Sequence, residues 1–568
     1  MSHWNSLVDL LQGRALQTPQ SLAFTFIIKN EENKLTYQSL HEEACAIAVA
    51  IRNQGLRKGD RALLIYPPGV DLIKALFGCF YAGVIAVPVF PPVNKSLVDK
   101  THRILQNAKP KLTLMMHENR EKFGIAYEKT PTLATDIVDL GRANEWENDS
   151  LAQDLAFLQY TSGSTSYPKG VMISHGNLLD NLQRIYDAFG MNDKSIMVGW
   201  LPPYHDMGLI GNILSPLYGG YPVVLMTPFS FLQNPLAWLQ IIGKYKATIS
   251  GSPNFAYDYC VRRIKEEKKE GLNLSSWEVA FNGAEPLHEG TMERFYQAFK
   301  DYGFRKESFY PCYGLAEATL LVSSGIPNTP YQKVRVAKEH FQNHRVHFLK
   351  TASPKSHVLI SSGTLRQKVK IVDPDTLHAC APDVVGEIWV NSPSVASGYW
   401  HLREETEQIF KGRIHEPTNP DNFLRTGDLG FIHEDDLYVT GRIKDLIILY
   451  GKNHYPQDIE YTINHSPVHA QLGSCAAYVN SVDGEYRLTV VCELKNRDLE
   501  DSDNVFTSIF ELVYQEHQLE IHHIVLVPLK SIPKTTSGKV CRNFCKAHLA
   551  DNTMTVIDRW DLTDNKDS

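Results

Sequence analysis

At 568 residues the chain is too long for one hydrophobic core to organise easily, and length alone implies about two to four domains. Apolar residues make up 43% and charged residues 21%, the balance of a soluble globular enzyme, and a net charge of −7 with acidic and basic residues intermingled argues against a nucleic-acid binder. The nine cysteines are scattered with no CxxC pair, and the tightest two, Cys541 and Cys545, lack matching His ligands for zinc, so reduced thiols of a cytoplasmic protein are the default.

The N-terminus, MSHWNSLVDLLQGRA, has no basic start followed by an apolar run, so no signal peptide is expected. Short Val/Ile-rich runs at 62–66, 85–89, 111–115, 222–226 and 247–250 alternate with helical stretches. Buried strands separated by helices predict an α/β fold with largely parallel sheets. The uncharged segment 75–93 is long enough to span a membrane, but Gly78, Gly83, Pro88, Pro91 and Pro92 interrupt it. Those breakers predict a buried helix, a turn at Gly83 and a buried strand, with no membrane span. Past about Val384 the texture changes, and GEIWVNSP and DLYVTG read as antiparallel strands. From about Asp445, strands at AAYVNS, RLTVVCEL and IHHIVLVP with an amphipathic helix over 505–517 predict a small α+β unit.

Residues 160–170, YTSGSTSYPKG, combine small residues that let the backbone bend, hydroxyls that donate, and the Lys169 cation, as suits a loop wrapping polyphosphate. They are not a Walker loop, which needs Gly directly before the Lys. Alone, the segment is equally a hydroxyl-rich surface turn. Four more segments follow in order: YGLAE (313–317), RTGD (425–428), GRIKD (441–445) and PKTTSGK (533–539).

This series resembles the adenylate-forming superfamily of acyl-CoA synthetases, luciferases, peptide-synthetase adenylation domains and fatty acyl-AMP ligases, over nearly the whole chain. The resemblance implies a large N-terminal domain of packed α/β subdomains, residues 1–443, and a small mobile α+β lid, 444–568. It also implies a ligase that uses ATP and Mg²⁺. Because a carboxylate attacking the α-phosphate brings anion against anion, such a site needs positive charge. By resemblance Lys539 reaches the α-phosphate and acyl oxygen, and Glu317 holds Mg²⁺. Thr161, Ser162, Gly163, Ser164, Thr165 and Lys169 grip the departing pyrophosphate. Tyr313, leading the Gly314, Leu315 and Ala316 turn, stacks adenine against the backbone of Gly283, Ala284 and Glu285. Asp428 takes the ribose hydroxyls, Arg442 braces ribose or phosphate, and Lys444 is the hinge. Two positions depart from the pattern: Ser166 replaces a Gly, and Ala316 replaces a Thr whose hydroxyl commonly contacts the α-phosphate. Altered geometry is expected from both, with the cation, metal and ribose functions retained.

Three features point to the fatty acyl-AMP ligase branch. LPPYHDMGLIG (201–211) resembles that branch closely, with His205 and Asp206 at the acyl carboxylate end and an apolar channel beyond. An insertion over about 330–357 would hamper the lid rotation needed for coenzyme A; its His340, His344 and His347 have helix-compatible spacing, and a solvated amphipathic strand or helix is expected there. Finally, Ile447, Ile448 and Leu449 after the hinge offer nothing to a phosphorylated nucleotide, as fits the phosphopantetheine thiol of an acyl carrier protein. The expected reaction is activation of a medium- or long-chain fatty acid to acyl-AMP, then acyl transfer to the carrier. A coenzyme A ligase and, more remotely, a non-catalytic acyl or nucleotide sensor are the alternatives.

Overall fold

The computed structural model describes residues 4–29, 31–124, 130–161, 167–353, 355–416, 420–482, 485–496, 502–534 and 539–562. Two sheets organise the first three quarters of the chain. In a six-stranded sheet, Thr132–Ala134, Leu112–Met115, Arg61–Ile65, Ile85–Val89 and Leu155–Thr161 run parallel, and Lys169–Ser174 closes the edge antiparallel. Ile85–Val89 is buried at every position, which is why its sequence is continuously apolar rather than alternating. Before it, the helix Val70–Ala82 ends at Gly83 in the left-handed conformation (φ 67°), so the expected helix, turn and strand are all found. No helix among the described residues is long and apolar enough to cross a membrane.

The second sheet has 13 strands. One half is parallel: Leu22–Ile28, Val223–Met226, Met197–Gly199, Ile249–Pro253, Val279–Gly283 and Phe309–Gly314. Beyond Phe309–Gly314 the direction reverses at Leu321–Ser324, and the antiparallel strands Gly386–Asn391, Leu424–His433 and Asp436–Arg442 belong to this half. The strands expected past Val384 are antiparallel as read, and lie in the half of the sheet whose direction has already reversed at Leu321–Ser324.

Further along, Leu472–Val482, Glu485–Leu494, His523–Pro528 and Asp558–Asp561 form a four-stranded sheet of their own. Helices Pro456–Asn464 and Ser502–His517 pack on it around Ile459, Ile463, Leu488, Val490, Ile509 and Leu526. The strands and helix expected from Asp445 onward are thus present, as a separate apolar core.

The insertion differs from expectation. It is not merely a solvated amphipathic element: Lys333–Ala337 pairs antiparallel with Ser356–Ile360, and Val336, Phe341 and Val346 are buried with Val385, Leu429, Phe431 and Tyr455. Nor do the three histidines share a helix. The helical turn Lys338–Phe341 holds His340, whereas His344 has a left-handed backbone (φ 55°). No cluster of three His, Cys, Asp or Glu suited to a metal occurs among the described residues. The insertion also touches the C-terminal unit: the Asn453 N–H and its amide donate to the Gln342 carbonyl at 2.9 and 3.0 Å, and Phe341 lies 5.2 Å from the Tyr455 ring.

Candidate active site

The loops that follow the parallel strands Met197–Gly199, Val279–Gly283 and Phe309–Gly314 carry His205 and Asp206, Ala284 and Glu285, and Leu315 to Glu317. The crevice outside the carboxyl ends of parallel strands is where open α/β sheets bind ligands. The local backbone is tightly drawn: a Cβ on Gly314 would lie 1.7 Å from the Leu320 carbonyl, so only glycine fits, and Ala284 holds a left-handed φ of 66°.

Asp428 and Arg442 face each other across the paired strands Leu424–His433 and Asp436–Arg442. The Arg442 Nε donates to one Asp428 oxygen at 2.8 Å, and the Tyr313 hydroxyl donates to the other at 2.7 Å. Burial, reinforced by the Asp428 charge, pushes the Tyr313 hydroxyl well up, while Asp428 keeps the Arg442 guanidinium charged. Two motifs of one hairpin and a third 115 residues from Asp428 therefore meet at one carboxylate.

Glu317 is half-buried, and loss of solvent pushes its carboxyl up; the Tyr399 hydroxyl, donating at 2.8 Å, pulls the other way. The Lys169 ammonium sits over the Tyr399 ring, 4.9 Å from its centre. Tyr399 was not marked by any sequence motif considered above, and only tertiary proximity brings it to Glu317. Thr161 pairs with Lys169 at the mouth of the loop, whereas Ser162, Gly163, Ser164, Thr165 and Ser166 lie outside the described residues.

At the third corner Asp206 accepts from the Met207 N–H at 2.6 Å and lies 2.6 Å from His205 Nδ1. Burial pushes the Asp206 carboxyl up, but His205, Met207 and Lys539 outweigh it and hold it below the usual range. The apolar run opens as a π-helix, Met207–Leu214, a geometry often found at functional sites.

Lys539 comes from the C-terminal unit. Burial and the Arg442 charge lower its basicity, while Asp428, Glu285 and Asp206 raise it, so its charge is felt at the Asp428 and Asp206 corners. Glu285 contributes more than the backbone expected of it: its carboxylate accepts from the Phe255 N–H, and burial pushes it up to about 7. Lys444 is not part of this cluster. It is exposed in the turn Ile443–Asp445, between the two cores.

Residues 11–400 match the AMP-binding enzyme family, and 444–559 match the AMP domain of the Disco-interacting protein 2-like family. A medium-chain fatty acid–acyl-carrier-protein ligase of Moorena producens is 40% identical, over 98% of this chain and 97% of its own. The crystal structure of a fatty acyl-adenylate ligase from L. pneumophila, in complex with acyl adenylate and pyrophosphate, is 57% identical, covers 98% of both chains and superposes with a TM-score of 0.78. A structure from work on fatty acyl-adenylate ligases of E. coli and L. pneumophila is 30% identical, over 97% of this chain and 98% of that one, with a TM-score of 0.86. The chain belongs to the fatty acyl-AMP ligases of the adenylate-forming superfamily.

Proposed function

We propose that the protein activates a medium- or long-chain fatty acid with ATP, releasing pyrophosphate, and passes the acyl group to the phosphopantetheine thiol of an acyl carrier protein. The observation that carries this reading is the convergence of Tyr313 and Arg442 on Asp428, with Lys539 of the C-terminal unit near enough for the Asp428 charge to act on it. A carboxylate oxygen of the fatty acid attacks the α-phosphorus, and the bond to the pyrophosphate oxygen breaks. Lys539 and Arg442 supply the positive charge that this meeting of anions requires, and the acyl chain runs from His205 along the Met207–Leu214 helix. Each buried methylene contributes about 0.8 kcal/mol to chain binding. Asp428 receives the ribose hydroxyls and Tyr313 the adenine. Glu317, a half-buried carboxylate steadied by Tyr399, fits a divalent cation, and Mg²⁺ there would neutralise phosphate charge. Lys169 and the loop after Thr161 face the departing pyrophosphate.

In the second step the carrier's thiol sulfur bonds to the acyl carbon, AMP leaves with the carbonyl–oxygen bond electrons, and the thiol proton goes to solvent. We read Lys444 as the hinge between a body of residues 1–443 and a lid of 444–568, whose rotation withdraws Lys539 before the thiol enters. The superpositions support a movable lid: the 57% identical neighbour fits less well than the 30% identical one, as when similar bodies differ in placement. The insertion's grip on Asn453 and Tyr455 would restrain the rotation that coenzyme A requires. All nine cysteines are free, as suits a cytoplasmic setting.

The test follows acyl-AMP from α-labelled ATP and a panel of saturated fatty acids, with coenzyme A or a phosphopantetheinylated carrier protein added. Accumulation that only the carrier clears is the expected result. Clearance by coenzyme A to acyl-CoA would make the protein a coenzyme A ligase, and no adenylate with any acid would end the enzymatic reading.

A further inference from the structure

Helix Pro456–Asn464 of the lid meets the large body through a compact polar clasp. Tyr461 is sandwiched between two imidazoles: its ring stacks on His288 of the body at 4.0 Å and 18°, and on His465 of its own helix end at 3.9 Å and 27°. His465 Nε2 lies 3.2 Å from one oxygen of Asp258, which also accepts from Thr291, and the other oxygen takes Arg294 at 2.8 Å. Burial pushes the Asp258 carboxyl up, yet His465 and Arg294 hold it far below the carboxylate range, so both its oxygens are committed. The Tyr461 hydroxyl enters a gap that exists because residue 290 is glycine; a Cβ there would lie 2.4 Å from it.

The clasp is rigidly connected to Lys539. Glu460, adjacent to Tyr461 on the same helix, holds the Arg542 guanidinium with both oxygens, at 2.7 and 2.6 Å, and accepts the Ala477 N–H at 3.0 Å. Arg542 follows Lys539 by three residues and also bridges to Asp445, beside the hinge, at 2.9 Å. A displacement of Tyr461 is therefore a displacement of the Lys539 segment.

We infer that Asp258, His288, Tyr461 and His465 are positioning residues for adenylation: they fasten the lid in the pose that delivers Lys539, and they must release it before thiol transfer. None touches the reacting atoms. The clasp acts on the partition between the two half-reactions, and it rests on the two-step reading above.

Two variants test it in the full-length enzyme. His465→Ala removes the imidazole from both Tyr461 and Asp258. Gly290→Ala changes none of the polar side chains and fills the Tyr461 seat, its Cβ also coming to 3.0 Å from Arg294 Nη1; in the first turn of helix Glu289–Phe299, with no left-handed φ, alanine favours the helix, so folding is preserved. Acyl-AMP formation and, separately, acyl transfer from supplied acyl-AMP to the carrier thiol are measured with melting temperature. Formation is expected to fall about fivefold in both variants while transfer is unchanged or faster, since only the adenylating pose loses stabilisation. Equal loss in both half-reactions, a loss confined to transfer, or no change in either would overturn the inference. A wild-type enzyme that makes no adenylate would overturn the reading beneath it instead, so the two failures are distinct.

Discussion

Glu285 turns the geometry of one side chain into a pH dependence. Its carboxyl is raised by burial from 4.5 to about 7, so between those values the folded chain holds a proton that the unfolded chain has released. The sign follows: its contribution favours folding at low pH and is lost as pH rises through the folded value. Glu285→Gln should melt like the wild type near pH 4 and gain about 1–2 kcal/mol at pH 8, after allowance for solvent screening, in thermal melts at both pH values. A gain of equal size at both would mean the carboxyl does not titrate there. Tyr399→Phe removes the donor that pulls Glu317 down against its burial. If Glu317 must be ionised to hold the cation, the acid limb of the adenylation pH–rate profile moves to higher pH, and an unmoved limb would separate Glu317 from the titration. Asp428, Tyr313, Arg442 and Lys539 were legible in the sequence because each stands in a short motif. Tyr399 and the Glu285 carboxyl were not, because their roles arise from neighbours 82 and 30 residues away.

Elements were legible where composition and periodicity agreed. Ile85–Val89 is apolar throughout because both faces are covered, and its bounds follow directly. The π-helix Met207–Leu214 escaped notice because MGLIGNIL is almost wholly apolar and so shows no period at all. The insertion misled for the opposite reason: its charges dominate the sequence, while a few spaced residues, Val336, Phe341 and Val346, do the packing. Its role is open to a direct trial. Excising 338–355 and rejoining the strands Lys333–Ala337 and Ser356–Ile360 with a short turn removes the Gln342 and Phe341 contacts to the lid. Coenzyme A-dependent consumption of acyl-AMP should then rise about tenfold, assayed by acyl-CoA formation, as a restrained rotation is freed. An unchanged rate in a protein that still forms acyl-AMP would show that something other than the insertion excludes coenzyme A.

The C-terminal unit has an apolar core apart from the main one, and the two units are joined by polar contacts and by one small apolar cluster in which Tyr455 meets Phe341 and Phe431. Ile459, Ile463, Val490 and Leu526 pack apart from the main core, and the bridges are pairs such as Asp258 with His465, Asn453 with Gln342, and His357 with Asp458 at 3.8 Å. Such bridges are worth little individually and break without exposing much apolar surface, so the two units need not unfold together. Calorimetry of the free protein should therefore resolve two transitions, the smaller belonging to the lid. A non-hydrolysable acyl-adenylate analogue changes that expectation. Held by Asp428 and Tyr313 of the body and by Lys539 of the lid, it would bind only when both are folded and apposed. At a hundredfold excess over its dissociation constant it adds about 2.7 kcal/mol, and that gain falls on the coupled structure rather than on one core. The lid transition should then rise by more than the body's and merge with it, and Lys539→Ala should abolish the merger while leaving the body's own shift. If the analogue raises the body's transition and leaves the lid's in place, Lys539 does not grip the adenylate, and the charge it contributes among Asp428, Glu285 and Asp206 would serve only to hold the two units together.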